Sequence, residues 1–469
     1  MKTKQSVIAV FDIGKTNKKL LLFNENYELV SEQSTGFPET VDDEGFPCED
    51  PELLCSWILD NVQALKDSQT YQLKAVNFST YGASLVYVDK AGNRIAPLYN
   101  YLKPYPEEIL EKFLAERGMK GNVSVDTASP VMGNLNAGLQ IYALKYLKPE
   151  LFSKLDTVLH FPQYLSYRLT GERFAEMTNV GSHSLMWNFS SRSYHQWLTE
   201  EGIRPYLLPV ENGDKAIEME GSDHKKLFVG IGLHDSSAAI IPYLLSFNEP
   251  FVIVSTGTWT ISLNPFNSNL PLKEDLENGG LSYQTYNGRP VKVSMLLAGH
   301  DHDQQTRRIA THFNLDPDYF KSLCYDPYWN QYLSRDEELN SKKTKSPTDP
   351  CCFHLRDQKK FQSADHAYHQ LMLDIIERQS KVTRAVLCGN TVHNMYVDGG
   401  FSKNNIYMQL MANAFPEMNV FSSSMVQGTA LGAALAIHSS WNKNPLPASL
   451  IKLKQWTRKS EALKGEKIY

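Results

Sequence analysis

Asp12 closes an apolar run at residues 7 to 13 (VIAVFDI) and is followed by Gly14, Lys15, Thr16, Asn17, Lys18 and Lys19 before a second apolar run, LLLF, at 20 to 23. The same plan recurs after residue 250: FVIV at 251 to 254 leads into Ser255, Thr256, Gly257 and Thr258, and then into WTIS. Such turns suit phosphate, because glycine lets backbone N–H groups approach phosphate oxygens and threonine hydroxyls add further donors. A third apolar run, Met395 to Val397, meets Asp398, Gly399, Gly400, Phe401, Ser402, Lys403, Asn404 and Asn405, ahead of a helical pattern from Ile406 to Ala414. There the glycines leave room for a flat ligand against backbone at a helix N-terminus. Residues 427 to 434 (QGTALGAA) place small side chains at helical spacing, which permits close packing against a neighbouring helix or a nucleotide.

Two further segments carry titratable residues. Val229 to Ala239 (VGIGLHDSSAA) sets His234 and Asp235 in a glycine-rich loop, where an isolated Asp would ordinarily close a turn through an Asx bond. Residues 299 to 305 (GHDHDQQ) invite a metal reading, but His300 and His302 would point to opposite faces of a strand and lie well apart on a helix. A loop or helix start beside a substrate cleft is the expectation for that segment.

The elements that must position these residues follow from periodicity. Each phosphate-type turn joins two apolar strands, and its recurrence in the second half predicts two related domains. Helical patterns run over about 107 to 118, 137 to 147 and 365 to 386, the stretch 341 to 350 (SKKTKSPTDP) reads as a solvated loop, and 442 to 469 as a peripheral helix and tail.

Bulk properties narrow the class. The chain of 469 residues carries 47 Lys and Arg against 52 Asp and Glu, a formal charge of −5, which argues against a general nucleic-acid binder. With 42% apolar and 21% charged residues it has the composition of a multidomain globular protein rather than of a disordered chain. Its six cysteines (Cys48, Cys55, Cys324, Cys351, Cys352, Cys388) form no C-x-x-C pair, so free thiols in a reducing compartment, the cytoplasm, are expected. There is neither a signal-peptide core nor an apolar run of about twenty residues, so no membrane association is expected.

Taken in order, DIGKTNKK, HFPQYLSYRLTGERFAEMTN (160 to 179), VGIGLHDSSAA, STGTWT and DGGFSKNN resemble the motifs of the FGGY carbohydrate kinases, within the actin, hexokinase and heat-shock ATPase superfamily. The resemblance runs from residue 7 to about 437 and, within the family, is strongest in character to rhamnulose and fuculose kinases. It implies an α/β fold of two actin-like (ribonuclease H-like) ATPase domains with a deep interdomain cleft: 1–245 for sugar binding and the catalytic base, 246–440 for ATP binding, and 441–469 as a tail. It further implies ATP and Mg²⁺ as cofactors, a small sugar as the partner, and a homodimer as an allowed assembly.

Residue roles carried over with the resemblance are as follows. Asp235 corresponds to the catalytic base. Asp12, acceptor-only at a strand end, would hold Mg²⁺ through waters. Gly14, Thr16, Asn17 and Lys19 with Gly257 and Thr258 would grip the phosphates, and Gly399, Gly400, Asn404 and Gln427 would line the adenosine. Tyr81, Gly82 and His234, with Asp235, would face the sugar, a ketose of five or six carbons such as a deoxyhexulose. Lys15 stands where the family commonly has a small residue and Gln427 where a Glu is common. The alternatives are a nucleotide-operated scaffold and an inactive sugar-sensing relative, since fold does not fix function.

Overall fold

The computed structural model describes residues 4–15, 17–117, 123–220, 225–335, 346–389, 391–423, 425 and 427–458. The chain divides into two compact units, each discontinuous in sequence. Unit 1 comprises Met1–Ser246, Ser282–Pro290 and Val426–Leu450; unit 2 comprises Phe247–Leu281, Val291–Met425 and Ile451–Tyr469. Residues 426 to 440, expected with the second domain, therefore belong to unit 1, and 451 onward belongs to unit 2.

In unit 1 a seven-stranded sheet runs in the order Ala216–Glu220, Lys226–Gly230, Tyr71–Thr80, Gln5–Ile13, Lys18–Asn24, Leu29–Thr35, with Leu233–His234 also paired to Tyr71–Thr80. The opening strand pairs antiparallel with Lys18–Asn24 on one side and parallel with Tyr71–Thr80 on the other. Val7, Ile8, Ala9, Val10 and Phe11 are all fully buried, which explains why the run is apolar without alternation: both faces of this strand are covered.

Unit 2 repeats the arrangement. Phe251–Thr256 pairs antiparallel with Thr260–Asn264 and parallel with Asn394–Gly399, so the recurrence seen in the sequence is a recurrence of topology. The two turns also share a device. Gly14 N–H donates to the Asn17 carbonyl at 3.0 Å, and Gly257 N–H to the Trp259 carbonyl at 2.9 Å.

The expected helices form at Glu107–Arg117, Ala137–Leu147 and Ala364–Leu387. The expected solvated loop at 341 to 350 lies outside the described residues for 341 to 345. One expectation is corrected at the C-terminal end. Leu453–Trp456 is not a peripheral helix but an edge strand of the unit 2 sheet, antiparallel to Asn419–Ser423. Its lysines read as solvated tail, yet charged residues are what a protected sheet edge carries.

Candidate active site

Asp235 stands at the start of a short helix, Asp235–Ala238, directly after the strand Leu233–His234. Its carboxylate accepts from Ser236 N–H at 2.6 Å and lies 3.2 Å from His234 Nε2. Burial pushes its pKa up from 3.8 to about 6, against the lowering effect of the Ser236 hydrogen bonds. Its side chain nevertheless keeps 34% of its surface open, so a ligand can reach it.

The glycine-rich loop that delivers Asp235 is held from three directions within unit 1. Asn77, itself buried, accepts from Gly232 N–H through Oδ1 at 3.2 Å and donates to the Ala433 carbonyl through Nδ2 at 2.7 Å. Gln163 Nε2 donates to the Ile231 and Gly232 carbonyls, and Ser166 to the Gly230 carbonyl. Glu176 caps the helix Met177–Val180, accepting from Thr178 N–H at 2.8 Å, the Thr178 hydroxyl at 2.6 Å, and Asn179. Thr178 Oγ1 in turn accepts from His234 N–H at 3.0 Å. The segment 160–179 thus serves as the clamp on the Asp235 loop. Burial raises Glu176 to about 7 despite its donors.

Asp12, the other acidic residue, is also raised to about 6, chiefly by burial, with Asp235 raising it further and Lys19 opposing. Thr429 Oγ1 donates to its Oδ2 at 2.8 Å. Thr429 opens the small-residue helix Gly428–Ala436, and a Cβ at Gly432 would fall 1.8 Å from the Ala238 carbonyl oxygen. The small residues therefore serve tight packing against the helix of Asp235. One element steadies both carboxylates.

The remaining expected residues fall as follows. Gly14 and Asn17 lie at the first turn and Lys19 in the strand that follows it, its Nζ 2.9 Å from Glu32; Thr16 lies outside the described residues. Gln427 sits in unit 1 in a left-handed conformation (φ 64°), and its Nε2 donates to the same Glu32 at 3.0 Å. In unit 2, Gly257 and Thr258 are exposed at the second turn. Gly399 has φ +86°, and a Cβ there would lie 1.9 Å from the Thr256 carbonyl oxygen, so the Asp398-Gly399-Gly400 turn is seated on the end of the strand before Gly257. Asn404 caps the helix Asn405–Ala414 through Oδ1 and donates to the Tyr368 hydroxyl through Nδ2, so its amide is engaged at both ends.

Tyr81 is buried, and its hydroxyl donates to Glu49 at 2.9 Å, leaving the ring rather than the hydroxyl for a ligand. Gly82 lies against His234: a Cβ there would be 2.5 Å from its Cδ2. Of the loop and the helix start expected for it, the GHDHDQQ segment takes the helix start: it forms the first turns of the helix Ala298–Phe313 in unit 2. Asp301 accepts from Cys351 N–H, buried His302 meets the Tyr368 hydroxyl at 2.9 Å, and Gly299 packs on the Gly257 carbonyl. These polar groups are satisfied within the unit. Among the described residues no group of three or more His, Cys, Asp or Glu could hold a metal ion.

Comparison with known proteins places the chain. A profile described as the N-terminal domain of the FGGY family of carbohydrate kinases matches residues 7–240, and the C-terminal domain of the same family matches 365–441. The chain belongs to the FGGY family of carbohydrate kinases. Among curated FGGY relatives, L-fuculokinase of Escherichia coli (strain K12) is 25% identical over 279 residues, covering 55% of this chain and 56% of that protein. A rhamnulokinase of Halalkalibacterium halodurans is 23% identical over 288 residues, 58% and 60% of the respective chains. The chain thus spans little more than half the length of the curated relatives it matches. Among solved structures, a carbohydrate kinase from Novosphingobium aromaticivorans superposes with a TM-score of 0.78 at 18% identity over 98% of this chain and 96% of that one. A ligand-bound xylulose kinase from Lactobacillus acidophilus gives 0.78 at 16% identity over 97% and 94%. The fold is the mixed α/β, two-domain actin-like fold of FGGY kinases.

Sequence reasoning missed Thr429, Glu176, Thr178, Asn77 and Gln163 as supports of the site. Each is a common polar residue whose importance depends on a partner 50 or more residues away in most cases, as with Thr178 and His234 (56 apart) or Asn77 and Ala433 (356 apart).

Proposed function

We propose that this protein phosphorylates a hydroxyl of a small sugar at the expense of ATP, with Asp235 as the general base. The observation that carries the reading is the state of Asp235: an accessible carboxylate raised to about 6, ionised at neutral pH yet basic enough to take a hydroxyl proton. Phosphoryl transfer asks the protein mainly for placement and charge neutralisation. Asp235 would orient the attacking hydroxyl and accept its proton as the oxygen bonds to phosphorus. The Gly14 and Gly257 turns, with Asn17, Lys19 and Thr258, would donate to phosphate oxygens, and the Gly399-Gly400 turn would take the adenosine.

Mg²⁺ would arrive with the nucleotide. Asp12 fits it as a single carboxylate anchor, since burial and, second to it, the Asp235 charge disfavour the ionised form that a cation would stabilise, and Mg²⁺ keeps most of its waters. When bound, the ion neutralises phosphate charge.

The sugar is a ketose of five or six carbons, such as a deoxyhexulose. Relatives named L-fuculokinase and rhamnulokinase, together with the Gly82–His234 packing, support that choice. A cytoplasmic setting is supported by the absence of disulfides: all six cysteines are free thiols. No helix among the described residues is long and apolar enough to cross a membrane.

The test is a panel of ketoses and polyols incubated with ATP and Mg²⁺ and scored for ADP. A ketose of this class should stimulate ADP release well above the sugar-free rate. No stimulation by any member would overturn the proposal.

A further inference from the structure

Next to Asp235, unit 1 holds buried polar atoms with no partner in the protein. Both ring nitrogens of His183, Nδ1 of His234, Nε2 of His160 and Oε1 of Gln140 are buried and unpaired. The residues bearing them are 6%, 2%, 4% and 4% exposed, respectively. The three imidazoles belong to one cluster. The His183 and His234 rings meet edge to face at 5.6 Å, and both contact the Tyr283 ring, at 5.8 and 5.2 Å. His160 feels both other imidazoles, and Gln140 Nε2 donates to the carbonyl of Ala83, the neighbour of the Gly82 that packs on His234.

Leaving a buried donor or acceptor unmade costs about 1–3 kcal/mol per group, so folded proteins seldom gather several in one place without a use for them. The other buried histidine among the described residues of unit 1, His195, is satisfied: it meets Asp126 at 3.3 Å and accepts from Trp197 N–H at 3.2 Å. The contrast falls at the base.

Charge narrows the ligand. Burial pushes His160, His183 and His234 down to about 3, so all three rings are neutral at physiological pH. A neutral imidazole offers one N–H and one lone pair, matching a hydroxyl, which both donates and accepts. The charged groups that face the cluster from the adjoining elements are carboxylates: Asp235 is 3.2 Å from His234, and Asp235 in turn acts on Asp12 and Tyr283. No cation is within ion-pair distance of Asp235 among the described residues. An acid sugar would have to bring its carboxylate beside these with nothing to pair it.

Resting on the reading of Asp235 as the base of a sugar kinase, we propose that His183 is a specificity-determining residue that, with His160, His234 and Gln140, binds the hydroxyls of an uncharged ketose and excludes sugar acids. His183 is the member to test because both its ring nitrogens lack a protein partner, whereas His234 Nε2 lies against Asp235, Gln140 Nε2 donates to two carbonyls, and His160 leaves only Nε2 in the unpaired set.

The experiment compares wild type with His183→Phe, which keeps an aromatic ring of similar shape and removes both nitrogens, and with His183→Asn, which keeps donor and acceptor. Steady-state kinetics are taken with the best ketose of the panel, with its monodeoxy analogues, and with the aldonate of equal length. For His183→Phe the ketose KM should rise about tenfold, in line with the loss of one or two neutral hydrogen bonds. The KM for ATP should stay within twofold and Tm should hold or rise. One monodeoxy analogue should bind wild type about tenfold less well than the parent, yet bind His183→Phe as well as the parent. His183→Asn should recover part of the loss, and wild type should discriminate against the aldonate by at least a hundredfold.

An unchanged ketose KM in His183→Phe, or an equal penalty for every deoxy analogue in both proteins, would overturn the inference while leaving the kinase reading intact. Aldonate turnover equal to ketose turnover would do the same. If His183→Phe does not fold, the deoxy series on wild type and His183→Asn decides the matter: the inference requires one position to stand out in wild type. Wild type inactive with every sugar would instead sink the reading of the site itself.

Discussion

Replacing Asp235 by Asn should make the protein more stable and nearly inactive, and the structure sets the size of both effects. The carboxyl is raised from 3.8 to about 6 by burial. At ~1.4 kcal/mol per pH unit that difference amounts to about 3 kcal/mol for keeping the ionised side chain in the folded protein. A side chain 34% exposed is partly screened by solvent, so the penalty is discounted to about 1 kcal/mol. Asn keeps the shape and can still accept from Ser236 N–H, so this penalty should be recovered.

The pH dependence carries the sign. Because the folded-state value lies above the unfolded one, the folded protein holds an extra proton between about 4 and 6. Wild-type stability should therefore fall as pH rises through that window and level off above it. Asp235→Asn should lack this part of the decline, so the two proteins should melt together near pH 4 and separate by about 2–4 °C at pH 7.5, using the Tm sensitivity of domains of ~150–250 residues. Turnover with the best sugar should drop by ~10²–10⁴. Differential scanning fluorimetry across pH, with ADP release measured on the same preparations, reads both. A variant less stable than wild type at pH 7.5, or one retaining near-normal turnover, would refute the reasoning.

Other perturbations probe the supports. At saturating Mg²⁺ and ATP, kcat/KM for the sugar should lose a decade per pH unit below about 6, with no separate imidazole step, because His234 titrates only near 3; a second step near 6.5 to 7 in pH-rate profiles would contradict this. Thr429→Val removes the hydroxyl that donates to Asp12 and should raise the Mg²⁺ concentration needed for half-maximal rate, read by Mg²⁺ titration of ADP release, while sugar KM stays unchanged. Gly432→Ala drives a methyl toward the Ala238 carbonyl, 1.8 Å away, and should lower kcat more than it raises the KM for ATP in steady-state assays. Thr178→Val unpairs His234 N–H and removes one of the donors to Glu176 Oε2, and should cost about 1–3 kcal/mol in urea unfolding, with a drop in kcat.

The strands and their turns were legible in the sequence because a strand covered on both faces must be apolar throughout, as Val7 to Phe11 are, and a turn between two such strands must be small and polar. The helix at Gly428–Ala436 and its close packing were legible from its small residues, but its partners were not: Gly432 packs on Ala238 and Thr429 donates to Asp12, contacts that only the tertiary fold supplies. His183 sits in the polar run TNVGSHS, which reads as an ordinary loop, and its ring becomes informative only when both nitrogens prove buried and unpaired. Gln427 and Asn404, expected near adenosine, are tied to Glu32 and to a helix cap, because amide side chains serve backbone and ligand with the same atoms. Leu453–Trp456 was missed since a four-residue edge strand with Lys454 and Gln455 at its centre is too short and too polar to show an apolar pattern.

In the proposed reaction Asp235 takes the proton of a sugar hydroxyl while ATP phosphorylates that oxygen. Mass spectrometry of the sugar after incubation with ATP and Mg²⁺, with wild type and Asp235→Asn side by side, tests it most directly. Wild type should yield a ketose phosphate, and the variant at least a hundredfold less at equal time and enzyme. ADP formed without any phosphorylated sugar, or equal yields from the two proteins, would contradict it.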